Sequence, residues 1–197
     1  MNIFMHLAIS RTIRKTLERE FQIKFNALRF SFGNIKPDIL PLLINIPHFK
    51  GTAMEFVKTE IKELFELRLH EPSQLSKDFS ERMGILTHYL SDFFCYAHSD
   101  LFVTTKRSHV LYELRLSSYF NEKLKHLKLI SFNPQIKNIS SAESLVKTIE
   151  DAHDYYVERL GGASCLEWDT LNTLKVTLLV CSSILSKCIE NNVDLAA

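Results

Sequence analysis

Apolar residues recur at steps of three and four along nearly the whole of this chain, and that periodicity restricts it to helices packed against one another. Little interrupts the pattern: the 197 residues contain five glycines and five prolines, so turns are few and strands are hard to place. The expected fold class is all-α, a single-domain multi-helix bundle over residues 1–197. With 46% hydrophobic residues, a chain of this length buries one core. The spacing predicts a first helix from Ile3 to Phe21, a second through Leu28 that ends near Gly33, and the turn GNIKPD over residues 33–38, where Pro37 fixes the backbone before Asp38. Further helices are expected over Gly51–Leu69, over Lys77–Tyr96 and from Thr105. After the irregular stretch Ile130–Ser140, Ser140 and Glu143 read as a capping box that opens a helix to Leu160. The last helix, Trp168–Asn191, is apolar around much of its circumference and is expected to be central.

Two pairs on these helices carry chemistry: His88 with Asp92, and His109 with Glu113. Four residues advance a helix by roughly 400°, so each pair stacks an imidazole and a carboxylate on one face, in reach of one ion. If the first of these helices continues, His98 is rotated by about 120° from Asp92, which suits a second, neighbouring ion. Such pairs also stabilise a helix by themselves. Here, however, three more candidate ligands precede them: His6 in the first helix, Asp38 after Pro37, and His48 after Pro47. The whole set is rich in imidazole and carboxylate and lacks thiolate, as hydrolytic zinc sites often are, so a catalytic centre is favoured over a structural zinc. The remaining histidines, His70, His126 and His153, read as packed or solvated side chains.

The other features bound the setting. A formal charge of +1, from 24 basic and 23 acidic side chains, provides no overall field for nucleic acid, and no stable nucleic-acid complex is expected. The four cysteines, Cys95, Cys165, Cys181 and Cys188, form no CxxC pair and read as reduced core residues. At the N-terminus an apolar stretch precedes a basic, amphipathic one, the reverse of a secretory signal. The longest apolar run, Val176–Ile184, is short of the roughly 20 residues that span a bilayer. A cytoplasmic protein without a transmembrane segment is the expectation. Leu101, Phe102 and Val103 form a candidate apolar rim for transient contact with a membrane surface, and Lys106 with Arg107 could steer a phosphate. Lys123, Lys125 and Lys128 read as complements to a helix C-terminus.

The order His, Asp, His, then HxxxDxxxxxH at 88–98, then HxxxE at 109–113, resembles the zinc-dependent bacterial phospholipase C family, which shares its fold with fungal single-strand nucleases. The resemblance implies an α-helical enzyme with a metal cluster in a cleft, holding two to three zinc ions per chain. Carried over by position, Asp38, His48, His88 and Asp92 would hold one zinc, and His98, His109 and Glu113 a second. His6 with a bridging Asp92 would hold a third. In the family that third ion is completed by the amine and carbonyl of an N-terminal tryptophan. Here the Met1 amine is the candidate, since Asn2 disfavours removal of the methionine. Asp38 is also the implied general base. The expected function is hydrolysis of a phospholipid or small phosphodiester by metal-bound hydroxide. The alternatives are a nuclease or phosphomonoesterase using the same zinc cluster, or a non-catalytic metal-binding protein.

Overall fold

A computed structural model of the chain describes residues 1–40, 46–69, 73–126, 139, 141–160 and 165–193, with residues 125, 126, 192 and 193 described by their backbone alone. Its helices are α1 (Ile3–Phe21), α2 (Ala27–Ile39), α3 (Lys50–Glu66), α4 (Lys77–Phe93), α5 (Lys106–His126), α6 (Ala142–Glu158) and α7 (Cys165–Val193), with a 3-10 turn, Tyr96–His98, between α4 and α5. Among the described residues, β-structure is limited to one isolated bridge between Lys24 and Gln74. The fold is the all-α bundle that the periodicity predicts.

Local chemistry sets the helix ends. The Asn2 side chain caps α1 by accepting from the Met5 N–H at 2.9 Å, and Ser76 does the same for α4 through Phe79 at 3.1 Å. Helix α6 opens on a capping box one residue further along than Ser140 and Glu143. The Ser141 and Ser144 hydroxyls each accept from the other's N–H. A serine at the third helical position thus fills the place expected of Glu143, while Ser140 lies outside the described residues. So do His70, Lys128, Gly161, Gly162 and the irregular stretch before Ile139, and the side chains of Lys125 and His126.

The second helix departs from expectation. It does not end near Gly33, and GNIKPD is not a turn: α2 continues to Ile39 with Pro37 inside its last turns. Glycine stops a helix when nothing packs against it, but Gly33 is where α2 crosses α4. A Cβ there would stand 2.1 Å from the Glu81 carbonyl oxygen, and one on Gly84 would stand 2.2 Å from that of Phe30. The two glycines therefore let two backbones touch, with Lys36 and Arg29 of α2 pairing with Glu81 of α4 at 2.6 and 3.0 Å beside the crossing. Pro37 removes one backbone donor from the ladder.

Helix α4 is buried without a break from Met83 to Phe93. Its Ser80, Thr87 and Ser91 hydroxyls donate to the carbonyls four residues earlier at 2.8, 2.8 and 2.6 Å, which satisfies them inside the core. Helix α7 is central as expected, in contact with α1, α3, α4, α5 and α6. Its stretch Cys165–Asn191 is long and apolar enough to cross a membrane by length and composition, which corrects the expectation drawn from the shorter run Val176–Ile184. In this fold 72% of that apolar window is buried inside the bundle. Cys95, Cys181 and Cys188 lie in the core and Cys165 is half-buried.

Candidate metal centre

Six segments bring the sequence-predicted residues together in one cluster. The N-terminal turn and α1 supply Met1 and His6, the last turn of α2 supplies Asp38, and the segment entering α3 supplies His48. Helix α4 gives His88 and Asp92, the 3-10 turn His98, and α5 gives His109 and Glu113. Four overlapping groups each place one donor atom per residue within 4.8 Å of the others: His6, His88 and Asp92; Asp38, His48 and His88; His48, Asp92 and His98; and His98, His109 and Glu113.

Asp92 sits at the middle, fully buried. Its Oδ2 lies 3.0 Å from His48 Nδ1 and 3.3 Å from His88 Nε2. Its Oδ1 lies 3.4 Å from His6 Nε2 and 3.8 Å from His98 Nε2, and closest to the Met1 amine. The Met1 nitrogen is also 2.8 Å from His98 Nε2 and 3.4 Å from Glu113 Oε1. Asp38 approaches His48 Nδ1 at 3.6 Å, and His6 and His88 at 3.9 Å. Glu113 Oε1 takes both His98 Nε2 at 3.1 Å and His109 Nε2 at 2.9 Å. His6 stacks on His88 with ring centroids 4.0 Å apart.

His98 corrects one expectation. Helix α4 ends at Phe93, so His98 does not follow from a continuing helix; the 3-10 turn returns it toward the pocket. It faces Asp92 and Glu113 together, so the groups on either side of it overlap.

The electrostatics fit cation binding. Burial disfavours the charged form of Asp92, yet the neighbouring His98, Met1 amine, His6 and His88 together hold its carboxyl well below the usual range. For Glu113 burial is likewise outweighed, by the His98 hydrogen bond and the Met1 amine, and its pKa falls to about 2. Burial pushes His88 well below its ordinary value, with His6 acting in the same sense, so it is a neutral imidazole. Burial and the neighbouring Asp92 raise Asp38. Both ring nitrogens of His6 and the Asp92 Oδ2 are buried without a hydrogen-bond partner among the described residues. Buried polar atoms are rarely left so. His6 Nε2 and Asp92 Oδ2 approach neighbouring donors without hydrogen-bonding, an arrangement that suits donors to a divalent ion.

Three supporting residues escaped the sequence reading. The Asn34 carbonyl accepts from His88 Nδ1 at 2.8 Å, fixing the tautomer that turns Nε2 toward the pocket. Asn2 Nδ2 donates to the Glu113 carbonyl at 3.1 Å and so joins α1 to α5. Asp169, buried on α7, accepts three hydrogen bonds behind the His98 turn. A backbone acceptor leaves no sequence signal. Asp169 does: it is an acid among the apolar positions of a long helix. Of the residues read as structural, His153 is packed against Phe94 and Tyr156, while Lys123 lies over the Tyr119 ring.

An all-helical bundle with imidazole and carboxylate donors brought together from six segments makes a candidate metal centre. The sequence model of a family described as zinc-dependent phospholipase C matches residues 5–163, and the chain belongs to that family. No curated protein and no solved structure matched the chain. His6, Asp38, His48, His88, Asp92, His98, His109 and Glu113 all fall within the matched residues, and α7 lies beyond them.

Proposed function

We propose that this chain is a zinc-dependent phosphodiester hydrolase acting on phospholipid, one domain with two to three zinc ions in the pocket around Asp92. The observation that carries the reading is the clustering of eight side-chain donors, with the Met1 amine beside them, where His6 and Asp92 keep buried atoms without hydrogen-bond partners among the described residues. Asp38, His48, His88 and Asp92 hold one ion and His98, His109 and Glu113 a second. His6 and Asp92 would hold a third, completed by the amine of Met1 where that residue begins the mature chain. Zinc bound there supplies Lewis-acid activation of water and of a phosphoryl group.

The residues divide the remaining work. Asp38 is the general base: its side chain is 19% exposed, against 11% for Glu113 and none for Asp92, so it is the carboxylate that an incoming water or substrate meets first. His109, 32% exposed, marks the open side. Large apolar side chains on the surface collect on the ligand-bearing segments: Ile39 follows Asp38, Phe49 follows His48, Leu101 and Val103 follow His98, and Val110 follows His109. Such a rim suits a substrate presented at a lipid surface.

Zinc per chain, by elemental analysis, and hydrolysis of a chromogenic phosphodiester test the reading together. Two to three zinc ions, with turnover lost in folded His88→Ala and Asp38→Asn proteins, supports it. Zinc without turnover leaves a metal-binding protein, and preference for single-stranded DNA over phosphatidylcholine leaves a nuclease.

A further inference from the structure

We infer that Asp169 is a positioning residue for the His98–Glu113 donor pair, supplied by a helix that lies outside the matched family region. The inference rests on the zinc-binding reading above. Asp169 is completely buried on α7 and carries no cationic partner among the hydrogen bonds that it makes. Its two carboxylate oxygens instead do different jobs. Oδ2 accepts from the Tyr96 N–H at 2.9 Å and from the Tyr112 hydroxyl at 2.7 Å. Oδ1 accepts from the Tyr156 hydroxyl of α6 at 2.7 Å.

The Oδ2 bonds reach the two elements that carry the His98–Glu113 donors. Tyr96 opens the 3-10 turn that ends at His98, and Tyr112 precedes Glu113 on α5. Three aromatic rings close the same corner: Tyr96 and Tyr112 at 5.6 Å, Tyr96 and Phe102 at 5.0 Å, and Phe102 and Tyr112 at 5.6 Å. The segment between α4 and α5 has no regular helix of its own beyond this turn, so its register relative to α5 depends on such bonds. One oxygen holding both elements fixes the distance between them, and with it the meeting of His98 Nε2 and Glu113 Oε1 at 3.1 Å. A buried acid is a costly way to do this unless every lone pair is used. The three donors, all neutral, use it as an acceptor. Groups behind first ligands act in this way, and their loss typically weakens metal binding about 10- to 100-fold.

The division of labour between the oxygens gives the test. Tyr112→Phe and Tyr156→Phe each delete one hydroxyl bond to Asp169 and keep the ring, but only the first touches a metal-bearing element. Zinc affinity is measured by competition with a chromogenic chelator, together with thermal midpoints, on the full chain. The expected result is that Tyr112→Phe weakens one zinc by about 10-fold or more, while Tyr156→Phe lowers the midpoint comparably and leaves every zinc within about twofold. Asp169→Asn is expected to follow Tyr112→Phe. If it does not fold, the tyrosine pair decides. Equal zinc loss from both tyrosine variants, or none from Tyr112→Phe, overturns the positioning role while the zinc reading stands. A wild-type chain that holds no zinc overturns both.

Discussion

The Nδ1 of His88 donates to the backbone carbonyl of Asn34 at 2.8 Å, so the ring that faces the pocket is oriented by the residue after the glycine at which α2 and α4 touch. Backbone packing and ligand geometry are therefore one problem at this point. Gly33→Ala would place a Cβ 2.1 Å from the Glu81 carbonyl oxygen, forcing the helices apart at a cost of about 1–3 kcal/mol or more. It should also weaken zinc binding, because the Asn34 carbonyl moves with it. Ile149→Ala, a buried truncation in α6 costing about 2–5 kcal/mol, should leave zinc affinity unchanged. Chelator competition on both proteins checks this.

Asp92 and Glu113 should fail differently. Asp92 faces His6, His48, His88 and His98, so Asp92→Asn, which keeps the volume and removes the anion, is expected to lose zinc from more than one position. Glu113 meets His98 and His109 alone among the histidines, and Glu113→Gln should lose one. Elemental analysis of the two purified variants separates one missing equivalent from several.

Outside the donor cluster, two buried groups should shift the pH dependence of stability between about pH 4 and 6.5 with opposite signs. Burial raises Asp169 to about 6 against the hydrogen bonds that oppose it. The folded chain thus keeps a proton that the unfolded chain, with its carboxyl near 4, has released. That contribution is complete below about pH 4 and lost as pH rises through 6, and amounts to at most about 3 kcal/mol. Burial, with Lys50 adding to it, lowers His153 to about 4. Its contribution is complete above about pH 6.5 and lost as pH falls through 4. Asp169→Asn should therefore make stability rise more steeply with pH across this range and His153→Gln less steeply. Urea midpoints at pH 4.5 and 6.5 read the slopes, and identical slopes would refute the assignment.

The apolar rim should matter for aggregated substrate only. Leu101 and Val103 are exposed and follow His98. Replacing both by serine removes side chains whose burial in an acyl interface is worth about 1.5–3 kcal/mol each. Sedimentation with phosphatidylcholine vesicles is expected to show binding weaker by about 100-fold or more, with hydrolysis of a soluble phosphodiester within about twofold of the parent. Equal vesicle binding would remove the rim from the account.

Much of the pocket was legible because its donors sit on regular elements. The spacings His88 to Asp92 and His109 to Glu113 put each pair on one helical face before any tertiary contact is known. What sequence could not supply was the return of the chain after Phe93, where a 3-10 turn rather than a longer helix places His98. Nor could it supply the crossing at Gly33 and Gly84, since a glycine that ends a helix and one that admits a neighbouring backbone read alike along a single strand of letters. Asp169 was visible as an acid in an apolar helix, but its three partners come from Tyr96, Tyr112 and Tyr156, and only folding brings them to it.

The stacking of His6 on His88 and the approach of His6 to Asp92 also order events during synthesis. The first helix leaves the ribosome with one donor in place and nothing to share it with. The donors around Asp92 are complete once α4 has followed, whereas the His98 side lacks its partners until the His109–Glu113 turn of α5 is made. A prematurely terminated chain ending before residue 113 would therefore carry the first set of donors without the second.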